Sequence, residues 1–140
     1  MMISSNKRYN WKGKKALVVE DDPAGSLLLA EILARTDIGV IQVDNGTKAV
    51  RTCREDPDID IVLLDMQVPE KSGYDVALEI RAMRPDLPII AQSAFISSEE
   101  KNRALCAGCN AHVSKPLNAH ELLGIMHRLL YDTDELPIQG

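Results

Sequence analysis

Aromatic residues are scarce in this chain: one Phe, one Trp and three Tyr make up 4% of 140 residues. Aliphatic side chains must therefore do the packing, and a 45% hydrophobic content is enough for one domain's core. No apolar run approaches the roughly 18 residues of a membrane-spanning helix. Residues 1–14 are polar and basic, without the apolar centre of a signal peptide. A soluble, cytoplasmic protein with no membrane contact is the expectation. Cysteine is limited to three residues, an odd number that suits a reducing compartment better than a disulfide framework. No basic tract occurs, and 16 basic against 21 acidic residues leave a net charge of -5. That balance argues against direct nucleic-acid binding. Internal repeats are absent too.

What the chain does have is one organising stretch, Ile59 to Gly73, reading IDIVLLDMQVPEKSG. The apolar run Ile61 to Leu64 reads as a strand buried on both faces of a parallel sheet. It ends in a lone carboxylate, Asp65, expected on a short loop at the carboxyl edge of the sheet. Pro69 and Gly73 break regular structure before a helix whose face is Val76, Ile80 and Met83.

The same alternation runs along the whole chain. Lys15–Val19 reads as a strand and is followed by Glu20, Asp21, Asp22 and Pro23, the last a favoured first-turn residue of a helix. Leu28, Leu29, Ile32 and Leu33 form that helix's apolar face. A second strand is expected over Ile38–Val43, then a short helix stopped by Pro57. A fourth strand, Pro88–Gln92, leads into Ser93. Ser97 and Glu100 form a capping-box pattern for a weakly amphipathic helix that Gly108 ends. A short strand at Ala111–Val113 precedes Lys115-Pro116. Asn118 and Glu121 cap a last helix faced by Leu122, Leu123, Met126, Leu129 and Leu130. Five strands alternating with five helices predict an α/β, doubly wound parallel sheet. The boundaries expected are a flexible lead-in at 1–13, in which Trp11 to Gly13 can pack or turn, the domain at 14–131, and an acidic tail at 132–140.

Chemistry should gather where the strands end. That edge collects Glu20, Asp21, Asp22, Asp65, Ser93 and Lys115. Crowded carboxylates repel, and a bound cation relieves them. Oxygen ligands without His or Cys suit a hard ion such as Mg²⁺. A carboxylate beside such an ion, a lysine and a hydroxyl has what in-line phosphoryl transfer requires.

These segments together resemble the receiver domain of two-component signalling, the response-regulator fold. The resemblance rests on VVEDDP at Val18 to Pro23, DMQVPEKSG at Asp65 to Gly73, AQSA at Ala91 to Ala94 and SKP at Ser114 to Pro116. It spans about residues 14–131 and implies a flavodoxin-like (βα)5 fold with strand order 2-1-3-4-5. By position, it makes Asp65 the phosphoacceptor. Asp21 becomes a direct ligand of Mg²⁺ (or Mn²⁺), Glu20 a ligand through water, and the Gln67 backbone carbonyl a third protein ligand beside Asp65. Ser93 becomes the hydroxyl that contacts the phosphoryl group, and Lys115 the ion-pairing lysine, with a cis bond to Pro116. The implied donor is a phosphohistidine on a histidine kinase or histidine phosphotransfer protein. The implied output is a protein partner, or a homodimer, on the face made by the fourth helix, fifth strand and fifth helix. Such a domain supplies phosphotransfer and autodephosphorylation chemistry to its own aspartate without being a conventional enzyme. The Tyr9 to Gly13 preamble also resembles receivers of hybrid histidine kinases.

Two positions depart from that pattern. His112 stands where the family usually has a Tyr or Phe that rotates inward on phosphorylation. Ser93 replaces the commoner Thr. Gln67 and Phe95 flank the site, and with an apolar Phe95 a slow loss of the phosphoryl group is expected.

Blander readings apply elsewhere. Asp22 reads as a helix N-terminal acid. Cys106-x-x-Cys109 straddles a helix end and lacks a fourth ligand, so its thiols read as packing residues. His120 and His127 read as surface or partly buried. A dehalogenase-type phosphatase would need an acid where Gln67 stands. A flavodoxin-like binding module would need a Ser/Thr/Gly-rich loop where Glu20 to Asp22 stand.

Overall fold

The computed structural model describes residues 9–94 and 97–131. Five strands and five helices alternate: β1 Lys15–Val19, α1 Pro23–Ala34, β2 Gly39–Val43, α2 Gly46–Glu55, β3 Ile61–Asp65, α3 Gly73–Met83, β4 Ile89–Ser93, α4 Ser98–Cys106, β5 Ala111–Ser114 and α5 Ala119–Tyr131. The strands are parallel in one sheet of order β2-β1-β3-β4-β5. The doubly wound reading therefore holds, and so does the strand order.

Side-chain alternation explains how the sheet is covered on both faces. Leu17, Val19, Val62, Leu64, Ile89 and Ala91 point to one face and pack with Ala49, Val76, Ala77, Ile80 and Ala104 of α2, α3 and α4. Ala16, Val18, Ile61, Leu63, Ile90 and Val113 point to the other and pack with Leu29, Ile32 and Leu33 of α1 and Leu122, Met126 and Leu129 of α5. Each helix is started by a side chain that satisfies free backbone N–H groups. Asp22 caps α1, Asn45 caps α2 and Ser72 caps α3. Ser97 and Glu100 form the full capping box of α4, and Asn118 Oδ1 accepts from Glu121 N at 2.9 Å at the start of α5.

The structure corrects several expectations. Asp65 is the last residue of β3, not a loop residue, and Ser93 is likewise the last residue of β4. The ladder continues past them, with Met66 N donating to Gln92 O at 3.0 Å. Leu28 is 44% exposed: only Leu29, Ile32 and Leu33 of α1 turn inward. Cys106 is exposed and does not pack in the core. Of the lead-in expected at 1–13, residues 1–8 lie outside the described residues; within 9–13, Tyr9 is partly buried and Trp11 buried, while Asn10, Lys12 and Gly13 are exposed. Trp11 is fully buried, donates its backbone N–H to Thr36 O at 2.7 Å, and places its indole Nε1–H on His127 Nδ1 at 3.1 Å. Tyr9 and Tyr131 pack against the same imidazole with their rings tilted to it. A large aromatic surface buried against α5 outweighs the polar character of its neighbours. The acidic tail at 132–140 lies outside the described residues.

Candidate functional site

The carboxyl ends of β1, β3, β4 and β5 converge on one crevice. β1 delivers Glu20, which is buried, and Asp21, which is exposed. β3 ends in buried Asp65 and β4 in buried Ser93. Lys115 follows β5 by one residue. Its backbone N donates to Ser93 O at 2.9 Å, which fixes the lysine's root beside β4. The Lys115-Pro116 bond is cis, as the resemblance implied.

Asp65 is held at both oxygens. Oδ1 accepts from Gln67 N at 2.9 Å and Oδ2 from Lys115 Nζ at 2.8 Å. The same ammonium lies 3.2 Å from Glu20 Oε1, while Glu20 Oε2 accepts from Asp22 N at 3.1 Å. Two buried carboxylates thus share one lysine. Burial raises the Glu20 carboxyl above its ordinary range; the Asp22 N–H opposes this, and the charge of Asp65 adds to it. Burial pulls the Lys115 ammonium down, but its hydrogen bond to Asp65 and the charges of Asp65 and Glu20 outweigh that and leave it above its usual value.

Glu20, Asp21 and Asp65 each present a carboxylate oxygen within 4.8 Å of the others. An all-oxygen, acid-rich donor set of this kind suits a hard divalent cation. Gly73 lets the loop after Asp65 fold closely: its backbone N donates to Met66 O at 3.2 Å, and a Cβ there would collide with Met66. Gly46 N likewise holds Pro69 O at 3.1 Å. The loop that carries Gln67, whose side chain is exposed, is thereby fixed from two sides.

Other residues singled out in the sequence fall around this centre or away from it. Asp22 is a helix cap, its Oδ2 accepting from Gly25 N at 3.2 Å. His112 is half-buried on β5 with its Nε2 buried and without a hydrogen-bond partner. Burial, and then the charge of Lys101, lowers its pKa. Phe95 lies outside the described residues. Cys109 is buried, which pushes its thiol up to about 11. His127 is partly buried against Trp11, at the opposite end of the domain from Asp65, and His120 is exposed on α5. Sequence reasoning missed Gln92, a buried polar residue beside Asp65 in the ladder. A glutamine directly after the apolar run Pro88 to Ala91, still within the expected strand, was its available signal.

A family model described as "Response regulator receiver domain" matches residues 16–127. The chain is 29% identical over 116 residues to "Cell cycle response regulator CtrA" of Brucella ovis, a match that covers 83% of this chain and 50% of that protein. The chain thus spans about half the length of the curated relatives it matches. Among solved structures, it is similar to the receiver domain of the sensor histidine kinase PA1611 from Pseudomonas aeruginosa, which was solved with magnesium coordinated in its active-site cleft. Identity there is 32%, the TM-score 0.78, and coverage 84% of this chain and 98% of that one. It is also similar, at 26% identity and TM-score 0.79, to a chain in the Saccharomyces cerevisiae co-crystal of the histidine phosphotransfer protein Ypd1 with the receiver domain of Ssk1; coverage is 86% and 90%. The parallel sheet, the acid crevice at its carboxyl edge and the match over residues 16–127 agree: the chain belongs to the response regulator receiver domain family of two-component signalling.

Proposed function

We propose that Asp65 accepts a phosphoryl group from a phosphohistidine on a histidine kinase or histidine phosphotransfer protein. The observation that carries this is the pairing of the buried Asp65 with Lys115 inside a group of three carboxylates. Glu20, Asp21, Asp65 and the backbone carbonyl of Gln67 are the residues that would hold Mg²⁺, or Mn²⁺. The ion supplies charge neutralisation for the phosphoryl oxygens.

The chain's own residues do the rest. Gln67 N–H and Lys115 hold the Asp65 carboxylate in one orientation. One of its oxygens attacks phosphorus in line as the phosphorus–nitrogen bond of the donor breaks and its electron pair returns to the imidazole. Lys115 turns from Asp65 to a phosphoryl oxygen, and the Ser93 hydroxyl donates to another. Hydrolysis of the acyl phosphate returns Asp65 to its starting state, so the domain acts on its own side chain and on no separate substrate.

The change is passed to the face formed by α4, β5 and α5, where a protein partner or a second copy docks. α4 suits this role because Ala104 is its single buried residue. His112 takes the place of the aromatic switch. The Ypd1 co-crystal supports a phosphotransfer donor, and the sensor-kinase receiver supports a place in a hybrid kinase. A cytoplasmic setting follows from that chemistry. Among the described residues no helix is long and apolar enough to cross a membrane.

Incubation with acetyl phosphate and Mg²⁺, followed by intact mass, tests the reading. The expected result is a gain of one phosphoryl group that hydroxylamine removes and Asp65→Asn abolishes. An unchanged mass, or equal labelling of Asp65→Asn, refutes it.

A further inference from the structure

Five polar side chains are buried among the described residues: Glu20, Thr36, Asp65, Gln92 and Ser93. Thr36 is accounted for, its hydroxyl donating to Leu33 O at 2.7 Å and accepting from Ile38 N at 3.3 Å. Glu20, Asp65 and Ser93 belong to the crevice. Gln92 is different. It is 2% exposed, and its side-chain Nε2 has no hydrogen-bond partner. A buried donor left unspent weakens a fold, and one that persists calls for an explanation.

Its position supplies one. Gln92 on β4 is the register partner of Asp65 on β3 and of Val113 on β5. Register partners on neighbouring strands stand about 4.8 Å apart and project from the same face. That face is the one covered by α1 and α5, to which Leu63, Ile90 and Val113 also point. β4 lies between β3 and β5. Yet Lys115, rooted at the end of β5, reaches Asp65 at 2.8 Å and Glu20 at 3.2 Å. Its side chain therefore crosses the end of β4 where Gln92 stands. The unpaired Gln92 Nε2 thus belongs to the strand that the lysine crosses to reach its carboxylate.

We propose that Gln92 is a further residue of the phosphorylation site, a held-back donor that serves the aspartyl oxygen once Lys115 turns to the phosphoryl group. The inference rests on the phosphoacceptor reading of Asp65. At rest the two Asp65 oxygens are served by Gln67 N–H and Lys115. After transfer, one of these oxygens bridges to phosphorus and the other remains a carbonyl. The departure of Lys115 leaves that pair short of a donor just as the Gln92 amide still lacks an acceptor. Their hydrogen bond satisfies both, and because it forms only after transfer it favours the phosphorylated state. Gln92 therefore prolongs the life of the acyl phosphate without contributing to the resting fold.

Gln92→Leu and Gln92→Met keep the side chain's bulk and remove its donors. Each variant and the parent are loaded with acetyl phosphate and Mg²⁺, the donor is removed, and phosphoryl loss is followed by intact mass. Urea unfolding is measured alongside. The variants should be at least as stable as the parent at rest and lose the phosphoryl group roughly tenfold faster, the usual net worth of one hydrogen bond. In the parent, the Gln92 carboxamide resonances should shift and exchange more slowly when beryllofluoride and Mg²⁺ bind, a signature that a packing role does not produce. Decay at the parent's rate, or carboxamide signals that beryllofluoride leaves unmoved, overturns the proposal while leaving Asp65 as acceptor. A parent that takes up no phosphoryl group overturns both. Should neither variant fold, the parent's carboxamide signals decide alone.

Discussion

The two ends of the sheet are both rich in acids and treat them in opposite ways. At the amino edge every acid with a described role has a partner of its own. Asp60 Oδ2 accepts from Lys15 N at 2.9 Å, and Asp56 pairs with Lys15 Nζ at 2.9 Å and accepts from Asp58 N at 3.0 Å. Two arginines at the end of α3 tie the loops together. Arg84 donates to the carbonyls of Asp56, Pro57 and Ile59. Arg81 donates to those of Arg84, Pro85, Leu87 and Gly108 and to Asn110 Oδ1. At the carboxyl edge, two buried carboxylates lean on one ammonium, a third stands 4.8 Å or less away, and the Gln92 side-chain Nε2 has no acceptor. One end has settled its polar groups within the chain, which makes it a foundation. The other leaves them unsettled, ready for groups that come from outside.

The sharpest test of that contrast is Asp21→Ala. The remaining acids cannot complete octahedral coordination, so Mg²⁺ binding near physiological concentration and phosphorylation should both be lost, with stability little changed. Mg²⁺ titration followed by NMR, with intact mass, checks this; normal labelling would place the ion elsewhere. Lys115→Ala comes next. The variant should still take a phosphoryl group but no longer alter hydrogen exchange in α4 and β5 when beryllofluoride binds. An unchanged exchange response in that variant would remove Lys115 from the coupling.

At the amino edge the expectation reverses. Arg81→Leu strands several carbonyls, and should cost about 2–4 kcal/mol in urea unfolding while Mg²⁺ affinity stays at the parent value. A large fall in affinity would mean that the two ends are not separable. Glu20→Gln sharpens the comparison from the site's side. Because the fold raises the Glu20 pKa, its charged form is disfavoured there at neutral pH. Neutralising it should leave stability equal or higher by up to about 1 kcal/mol and weaken Mg²⁺ binding. A clear loss of stability would show that Lys115 depends on Glu20 more than on Asp65.

The smallest effect concerns His112. Its pKa is lowered in the folded state, first by burial and then by Lys101, with Glu121 and Glu100 opposing. The unfolded chain therefore binds the proton more readily. Stability is full above the unfolded value near 6.5 and is lost as pH falls below it. His112→Phe should flatten that acid limb by a few tenths of a kcal/mol in unfolding measured from pH 7.5 to pH 5. An acid limb identical to the parent's would show that the imidazole does not report on burial.

Much of this is legible in the sequence. The apolar runs at Ile61 to Leu64 and Ile89 to Ala91 are short and continuous, and their alternation with helical patterns let the parallel sheet be read. Asp22, Asn118 and the pair Ser97 and Glu100 announce helix starts through side-chain chemistry that acts locally. Ends of strands were less legible. Asp65 and Ser93 extend the ladder because neighbouring strands offer acceptors, which no single segment encodes. Trp11 was hard to place for the same reason: its surroundings come from Thr36 and His127, far along the chain. Within the site, residue types at strand ends pointed to the acids and Lys115. Gln92 escaped because its meaning depends on lying between β3 and β5 in the sheet, an order that sequence proximity hides.

The aromatic cluster around His127 has an engineering consequence. Tyr9 lies with its ring centroid 4.8 Å from the imidazole and Tyr131 5.0 Å from it. The first and last described residues therefore meet at one spot, away from the acid crevice. A body whose two ends emerge together can be spliced into a surface loop of a host protein through a single junction. It can also be closed by a short linker and reopened elsewhere. In either form the crevice faces away from the junction, so the domain can be moved between hosts as a plug-in module.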